Sequence, residues 1–221
     1  DLVDKGADVV KIAGMARCAE DNVRILNMMS SSSVPTIGIA MGEGGLISRL
    51  LTLRYDSCFL TYASLGNSRS VAPGQLPVEV MREVYCAENI GSHTSVYGVL
   101  SDKSVPDGLL TSLNSATREA GLDAVWVPFI VPESNNNLVD VINSYRFLPV
   151  AGYLVSESHH KVVSTALDDI ELEGCTVGER INVIRLLNDR LIGGWVPSLQ
   201  DAFSHITGKP GTKNLADLSG I

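Results

Sequence analysis

Short apolar runs alternate along the chain with segments in which apolar residues recur at helical spacing. Runs of about six residues rich in Val, Ile and Ala are typical of strands buried on both faces, as in parallel sheets. In the first part of the chain this pattern predicts strands at residues 8–13, 36–41 and 57–63, and helices at residues 19–29, 44–51 and 77–87. The repeated strand–helix order predicts an α/β fold.

A polar connection at residues 88–94 separates this series from a second one. There the pattern predicts strands at residues 95–100, 125–131 and 150–155, helices at 107–121, 137–145, 162–170 and 198–206, and a β-rich segment at 176–195. The polar tail, rich in Gly and Pro, predicts poor order. We therefore expect one domain at residues 1–90, a second at residues 95–206, and a tail at residues 207–221.

Composition narrows the classes of partner. The formal net charge is -8, and basic residues are scattered, so we expect no nucleic-acid partner, because phosphates need a basic surface. No apolar run approaches the roughly 20 residues that span a bilayer, so we expect no membrane association. The cysteines at 18, 58, 86 and 175 have neither CxxC spacing nor paired histidines. They predict reduced thiols in a reducing compartment and no metal site.

Lys11 lies inside the first apolar run, between Val10 and Ile12. Two interpretations remain open on spacing alone. Lys11 is either a strand-edge lysine whose ammonium reaches water, or an amine desolvated by apolar neighbours, whose neutral fraction attacks a carbonyl group.

Arg49 and the segment Ala72-Pro73-Gly74-Gln75 follow later apolar runs. In isolation Arg49 is most simply a solvated charge on a helix, and the Pro-Gly pair a plain turn. In a parallel βα barrel, however, reactive groups cluster at the carboxyl ends of strands. There, a guanidinium is suited to binding a carboxylate by two parallel hydrogen bonds.

Together three segments resemble the last strand-end motifs of type I 3-dehydroquinate dehydratase, in order and in spacing. They are residues 6–13 (GADVVKIA), 41–49 (MGEGGLISR) and 72–75 (APGQ). The likeness covers roughly residues 1–87 and is strongest to the plant-type bifunctional 3-dehydroquinate dehydratase/shikimate dehydrogenase family. It implies the C-terminal portion of a (β/α)8 barrel, a plastid location and no cofactor for the dehydratase.

The resemblance also implies the site residues. Lys11 is then the Schiff-base lysine, Arg49 binds the carboxylate of 3-dehydroquinate, Gln75 contacts the ring hydroxyls and Met41 lines the pocket. The imine serves as an electron sink, so that loss of a proton and of water yields 3-dehydroshikimate.

Two departures from this family stand out. Val71 occupies the place of a family serine, with Ser70 beside it. The family's acid/base histidine lies on an earlier strand, whereas all four histidines here (93, 159, 160 and 205) follow the barrel segment. We expect that the chain alone dehydrates nothing. Because part of a barrel leaves strand edges open, we also expect the isolated chain to aggregate.

From Ser95 onward the chain resembles the α/β substrate-binding domain of shikimate dehydrogenase. Residues 96–100 (VYGVL) match its opening strand, residues 152–161 stand where its catalytic motif does, and residues 178–182 resemble its Gly-Ala-Val-Asn element. The resemblance implies a shikimate-like acid as substrate, bound by Asn182, and NADP as cofactor. No GxGxxG loop occurs before Ile221, so we expect these 221 residues not to include the NADP-binding domain.

The catalytic pattern of this second family is incomplete. Its lysine falls on His160, with Lys161 one residue late, and successive strand residues face opposite ways. The family's aspartate falls at residues 195–198, which hold no carboxylate. We therefore expect an inactive dehydrogenase half. His159 and His160 are either metal ligands or an exposed pair in a degraded loop, and the second interpretation is favoured because no third ligand is near.

Three hypotheses result for the whole chain. The first is a shikimate-pathway enzyme whose dehydratase activity belongs to a longer parent chain. The second is a non-catalytic relative or regulator that binds quinate-like or shikimate-like acids. The third is a truncated gene product, since the chain opens at Asp1 without an initiator Met or a targeting peptide.

Overall fold

A computed structural model describes residues 2–66, 72–132, 138–171, 180–212 and 215. The chain forms two compact units, Asp1–Thr94 and Ser95–Ile221. The first contains β1 (Val10–Met15), α1 (Val23–Ser31), β2 (Thr36–Met41), α2 (Leu46–Leu51) and α3 (Val78–Glu83). The second contains β3 (Ser95–Ser101), α4 (Asp107–Glu119), β4 (Ala124–Ile130), α5 (Leu138–Ser144), β5 (Val150–Val155), α6 (His160–Val163), β6 (Asp169–Ile170), β7 (Val183–Leu187), β8 (Arg190–Gly194) and α7 (Leu199–Thr207). The predicted α/β class is confirmed.

In the first unit β1 and β2 pair in parallel without a break, from Val10 opposite Thr36 to Met15 opposite Met41. One face of β2 packs on α1, because a Cβ added at Gly38 would lie 2.8 Å from Met29 Sδ. The opposite face carries Ile37, Ile39 and Met41, since side chains alternate along a strand. Lys11 is paired with Ile37 and therefore lies on this second face.

The prediction that the first strand is buried on both faces is wrong. Of the six residues of β1, Val10 alone is buried, while Ile12 and Met15 are 37% and 62% exposed. The physical reason is that β1 has one neighbour, β2, among the described residues. An apolar run predicts a strand but does not specify what covers it.

The predicted strand at residues 57–63 is reduced to a single bridge between Thr36 and Cys58. Thr36 N donates to Ser57 O at 2.7 Å and Phe59 N donates to Thr36 O at 2.9 Å. Beyond this bridge the chain leaves β2, and Phe59 is 56% exposed. The next helix is also shorter than predicted, because α3 ends at Glu83 and Cys86 adopts a left-handed conformation with φ of 46°.

In the second unit six strands form one sheet in the order β4-β3-β5-β7-β8-β6. The strands β4, β3 and β5 are parallel, so that their carboxyl ends meet at one edge, whereas β7 is antiparallel to β5 and to β8. Aromatic side chains form much of the core. Trp126 stacks on Tyr97 with ring centroids 4.9 Å apart and is fully buried.

The predicted helix at residues 162–170 is wrong in its position and length. A 3-10 turn at Glu157–His159 leads into α6, which ends at Val163, and residues 169–170 form strand β6. Asp168 N donates to Leu191 O and Glu171 N donates to Gly193 O, at 2.9 and 2.8 Å. Because these bonds satisfy the backbone in the sheet, the segment adds a strand instead of continuing the helix.

Part of the predicted tail is described and packs on α7. Gly211 N donates to Ser204 Oγ at 3.0 Å and Gln200 Nε2 donates to Gly211 O at 3.2 Å. Residues 213–214 and 216–221 lie outside the described residues, as does Cys175. No disulfide joins the three described cysteines. A search of the described helices for one long and apolar enough to cross a membrane finds none.

Asn22 joins three segments of the first unit although its polar side chain is fully buried. Its Nδ2 donates to Gly44 O at 2.6 Å and to Ala19 O at 2.9 Å, and its Oδ1 accepts from Ser48 N at 3.2 Å. The amide therefore fixes the turn between β2 and α2 against the segment that connects β1 to α1. Sequence reasoning missed this residue, because a single Asn in a polar segment has no distinctive pattern.

We expect Asn22→Ala to lower the free energy of unfolding of the first unit by about 2–4 kcal/mol, because Gly44 O and Ser48 N lose their partner in a buried place. Urea denaturation followed by circular dichroism measures this change. The matched control is Asn27→Ala on exposed α1 surface, with an expected effect within about 0.5 kcal/mol. Equal stabilities of the two variants would contradict the structural role.

Candidate functional site

The turn that follows β2 positions the first candidate side chains. Gly42 has φ of 92°, and a Cβ added at Gly45 would lie 2.1 Å from Ala40 O, so the turn needs glycine at both places. Ser48 Oγ accepts from Ala40 N at 2.8 Å and donates to Gly45 O at 2.8 Å. This network ties the start of α2 to the end of β2, directly before Arg49.

Arg49 is a charged side chain in the core, 1% exposed. Its Nη2 donates to Pro73 O at 3.2 Å, while its Nε is buried without a partner. Burial lowers the pKa of the guanidinium, because the low dielectric disfavours the charged form. Within the described part of the chain no carboxylate forms an ion pair with it. Among the described residues, the site thus holds a buried cation without a carboxylate partner.

The loop at residues 72–75 lies on the carboxyl end of β2. Gly42 N donates to Pro73 O at 3.0 Å, and Gln75 N donates to Ala72 O at 3.1 Å. Gly74 has φ of 69°, and a Cβ there would lie 2.2 Å from Gly42 O. The structure therefore brings the half-buried Gln75 segment, Arg49 and the strand end at Met41 together. Val71 and Ser70 lie outside the described residues.

Lys11 lies near the amino end of β1 and not at its carboxyl end. It shares a strand face with Met41, but the register separates the two by four residues, roughly 13 Å along the strands. Its side chain is exposed, and Nζ lies 4.7 Å from the ring centroid of Tyr62. Sequence reasoning missed Tyr62, which lies in the segment wrongly predicted as a strand.

In the second unit the ends of β3 and β5 carry a chain of hydroxyl and carboxylate groups. Ser158 Oγ donates to Asp102 Oδ1 at 2.9 Å and lies 2.9 Å from Ser156 Oγ. The hydrogen bond from Ser158 lowers the pKa of Asp102. Ser104, in the loop that follows β3, is exposed.

His159 and His160 are both buried, at 4% and 8% exposure, so the expectation of an exposed pair is wrong. His160 Nε2 donates to Val155 O at 3.1 Å, and burial lowers the pKa of its ring. Lys161 is exposed on α6. The argument from strand alternation therefore does not apply to it, because these residues are helical. The described residues include no group of three or more side chains suited to a metal ion.

Asn182 uses its side-chain amide within the fold. Its Nδ2 donates to Val196 O at 2.8 Å and its Oδ1 accepts from Val196 N at 2.9 Å. Ser198, at the end of the stretch where a catalytic aspartate was sought, accepts from Asp201 N and caps α7. Gly178 lies outside the described residues. Without a GxGxxG loop in the sequence, the residues present do not fit a bound NADP.

We expect the second unit to lose stability as the pH falls below about 6.5, the ordinary pKa of histidine. Burial lowers the pKa of His160 and of His205 in the folded state. The unfolded chain therefore binds more protons below that pH, and the stabilisation is complete only above it. Thermal melts at pH values from about 5 to about 8 measure the change in melting temperature.

In these melts His160→Gln flattens the pH dependence, because the amide keeps a donor towards Val155 O and does not titrate. The charges of Arg180 and His159 also lower the pKa of His160, whereas the charge of Glu157 raises it. The control His93→Gln, at an exposed position of the other unit, leaves the dependence unchanged. An unchanged slope in His160→Gln would refute the assignment.

Comparison with known proteins extends these observations. Residues 1–92 match the family model described as type I 3-dehydroquinase. A chloroplastic bifunctional 3-dehydroquinate dehydratase/shikimate dehydrogenase of Arabidopsis thaliana is 28% identical over 216 residues, which are 98% of this chain and 35% of that protein. A 3-dehydroquinate dehydratase of Methanococcus maripaludis is 41% identical over 87 residues, 38% of this chain and 39% of that protein.

Solved structures give weaker likenesses. A dehydroquinate dehydratase and shikimate dehydrogenase from S. pombe has a TM-score of 0.39 and 22% sequence identity. The matched region is 87% of this chain and 36% of the S. pombe chain. A shikimate dehydrogenase in complex with NADP+ has a TM-score of 0.41 and 26% sequence identity. The matched region is 47% of this chain and 35% of the dehydrogenase chain. The chain spans little more than a third of the curated relatives it matches. The predicted resemblance is thus confirmed: nearly the whole chain is similar to the bifunctional dehydratase/dehydrogenase, and its first 92 residues match type I 3-dehydroquinase.

Proposed function

We propose that this chain is part of a shikimate-pathway enzyme that dehydrates 3-dehydroquinate to 3-dehydroshikimate through a Schiff base on Lys11. Residues 1–90 are then the C-terminal portion of a (β/α)8 barrel, residues 95–206 a shikimate-dehydrogenase-like substrate-binding domain, and residues 207–221 a tail. The activity belongs to a longer polypeptide, since the Arabidopsis relative that matches nearly the whole chain is almost three times as long as it. The chloroplastic relative supports a plastid location.

The buried guanidinium of Arg49 is the observation that carries this proposal. Burying a charge without a counter-charge costs several kcal/mol, of the order of 3–5 when one partner of a pair is absent. A ligand carboxylate offsets this cost, because it accepts two parallel hydrogen bonds from the guanidinium, including one from the unpartnered Nε. An acid such as 3-dehydroquinate supplies that carboxylate.

Lys11 supplies the nucleophile in this proposal. Its exposed amine attacks the ketone carbon, and the carbonyl oxygen leaves as water. The protonated imine then withdraws electrons from the adjacent carbon, so that a base removes a proton there and a hydroxyl group leaves as water. Met41, on the same strand face, lines the pocket, and Gln75 contacts the ring hydroxyls.

The acid/base group of this reaction lies outside the residues described here. His93 is the one histidine in the sequence of the first unit, where it is the residue before the last, and it is exposed. This observation also favours a second candidate function, a non-catalytic protein that binds quinate-like or shikimate-like acids through Arg49. The two functions differ in whether a covalent imine forms.

We propose that the second unit does not transfer hydride. His160, which stands in the place of the catalytic lysine, donates to Val155 O. The side-chain amide of Asn182 donates to Val196 O. Loss of an acid/base group costs such reactions roughly 100- to 10,000-fold. The NADP of the dehydrogenase family has no place among these residues.

We expect Arg49→Met to weaken the binding of quinate, an acid without a ketone, by about tenfold or more, since a hydrogen bond to a charged group contributes about 1.5–3 kcal/mol. Calorimetric titration of the chain measures the dissociation constant. Arg24→Met, an exposed position on α1, is the control and leaves it unchanged. Equal affinities of the two variants would count against a carboxylate site at Arg49.

We expect borohydride to trap 3-dehydroquinate covalently on Lys11, detected by mass spectrometry of the peptide that contains it. Lys11→Met abolishes the adduct, whereas Lys5→Met, at another exposed position, retains it. Because the chain lacks the acid/base histidine, the adduct keeps the mass of the undehydrated ligand. A folded chain that forms no adduct would favour the binding protein, and an adduct lighter by one water would show dehydration by the chain alone.

A further inference from the structure

The amine of Lys11 faces an aromatic ring and not a carboxylate. Its Nζ lies 4.7 Å from the centroid of the Tyr62 ring, within the range of a cation–π interaction. In the described ranges no Asp or Glu forms an ion pair with Lys11. The π face of Tyr62 is therefore the group that meets the positive charge.

Tyr62 is anchored by the residues around it. Thr61 Oγ1 donates to Arg49 O at 3.2 Å. Ser64 N donates to Leu76 O at 2.8 Å, and Val78 N donates to Ser64 O at 2.9 Å. These bonds hold the segment on both sides of Tyr62 and connect it to the helix that carries Arg49. The backbone around Tyr62 is thus anchored, while its ring lies beside the amine and is 36% exposed.

We infer that Tyr62 is a positioning residue whose ring face holds the charged nitrogen of Lys11 before and after Schiff-base formation, an inference that rests on the proposed function. When an ammonium and a ketone condense, two of its three protons leave with the carbonyl oxygen as water, and one stays on the imine nitrogen. The same nitrogen carries the positive charge before and after the condensation, so the ring is its partner in both states. A planar protonated imine also stacks on the ring face more closely than a tetrahedral ammonium.

A carboxylate in this position would act differently. An ion pair holds an ammonium by a charge that opposes deprotonation, whereas neutral amine is the form that attacks the ketone. The ring holds the charge more weakly, so it orients Nζ and still permits proton loss. This explains why an aromatic side chain stands beside Lys11.

The test uses the 221-residue chain with Tyr62 replaced by Phe, by Leu, and by phenylalanines of increasing ring fluorination. Fluorine removes electron density from the π face and changes ring size little. The first measurement is the NMR shift of Nζ-methyl groups after reductive methylation. We expect the ring to shift the Lys11 signal upfield in the unchanged chain and in Tyr62→Phe, and the shift to be lost in Tyr62→Leu.

The second measurement is the fraction of Lys11 trapped by borohydride at a subsaturating concentration of 3-dehydroquinate. We expect Tyr62→Phe to match the unchanged chain, the fluorinated series to decline in order, and Tyr62→Leu to fall by about two- to fivefold. Equal trapping across the series, or no ring shift in the unchanged chain, would overturn the inference. Absence of the adduct from the unchanged chain would instead overturn the proposed function, so the two failures are distinguishable.

Discussion

The parallel pairing of β1 with β2 is the constraint on which the candidate site depends. Its unbroken register assigns Lys11 and Met41 to one strand face and leaves the other face of β2 to α1. A slip of one residue would turn Lys11 to the opposite face. The amide of Asn22 reinforces this arrangement, because it ties the segment between β1 and α1 to the turn that precedes Arg49.

The charge of Arg49 gives the site its chemistry. A fold that buries a guanidinium with one backbone acceptor among the described residues and an unpartnered Nε retains a desolvation cost, which a ligand anion would offset. In the proposed function, two kinds of group act on different ends of one small acid: a buried cation binds its carboxylate, and an exposed amine beside an aromatic ring attacks its ketone. In the described part of the second unit, His159 and His160 are instead buried.

The sequence predicted best those elements whose burial depends on local pattern. The bounds of β2 and β5 agree with the prediction, because both strands are covered on both faces and their apolar runs are continuous. Residues 57–63 have a similar run but pair only at Cys58, because a pattern of apolar residues does not encode whether a neighbour is present. Residues 169–170 join the sheet for the converse reason, as backbone bonds to β8 outweigh local helix preference.

For the candidate site, motif resemblance identified Lys11, Arg49, Met41, Gln75 and Asn182, whose proposed roles await experiment. Tyr62 and Asn22 were missed, since their significance lies in contacts between segments distant in sequence. The burial of His159 and His160 was missed because adjacent histidines give no apolar periodicity. Pattern locates elements, whereas the environment of a polar side chain depends on tertiary packing.

The central claim is that Arg49 and Lys11 act on the same molecule. The most direct measurement is the trapping of 3-dehydroquinate on Lys11 in the presence of increasing quinate, which has the carboxylate but no ketone. If one site holds both groups, quinate suppresses the adduct in the unchanged chain, with a midpoint equal to its own dissociation constant. If the adduct persists at saturating quinate, the two residues do not share a ligand, and the account is contradicted.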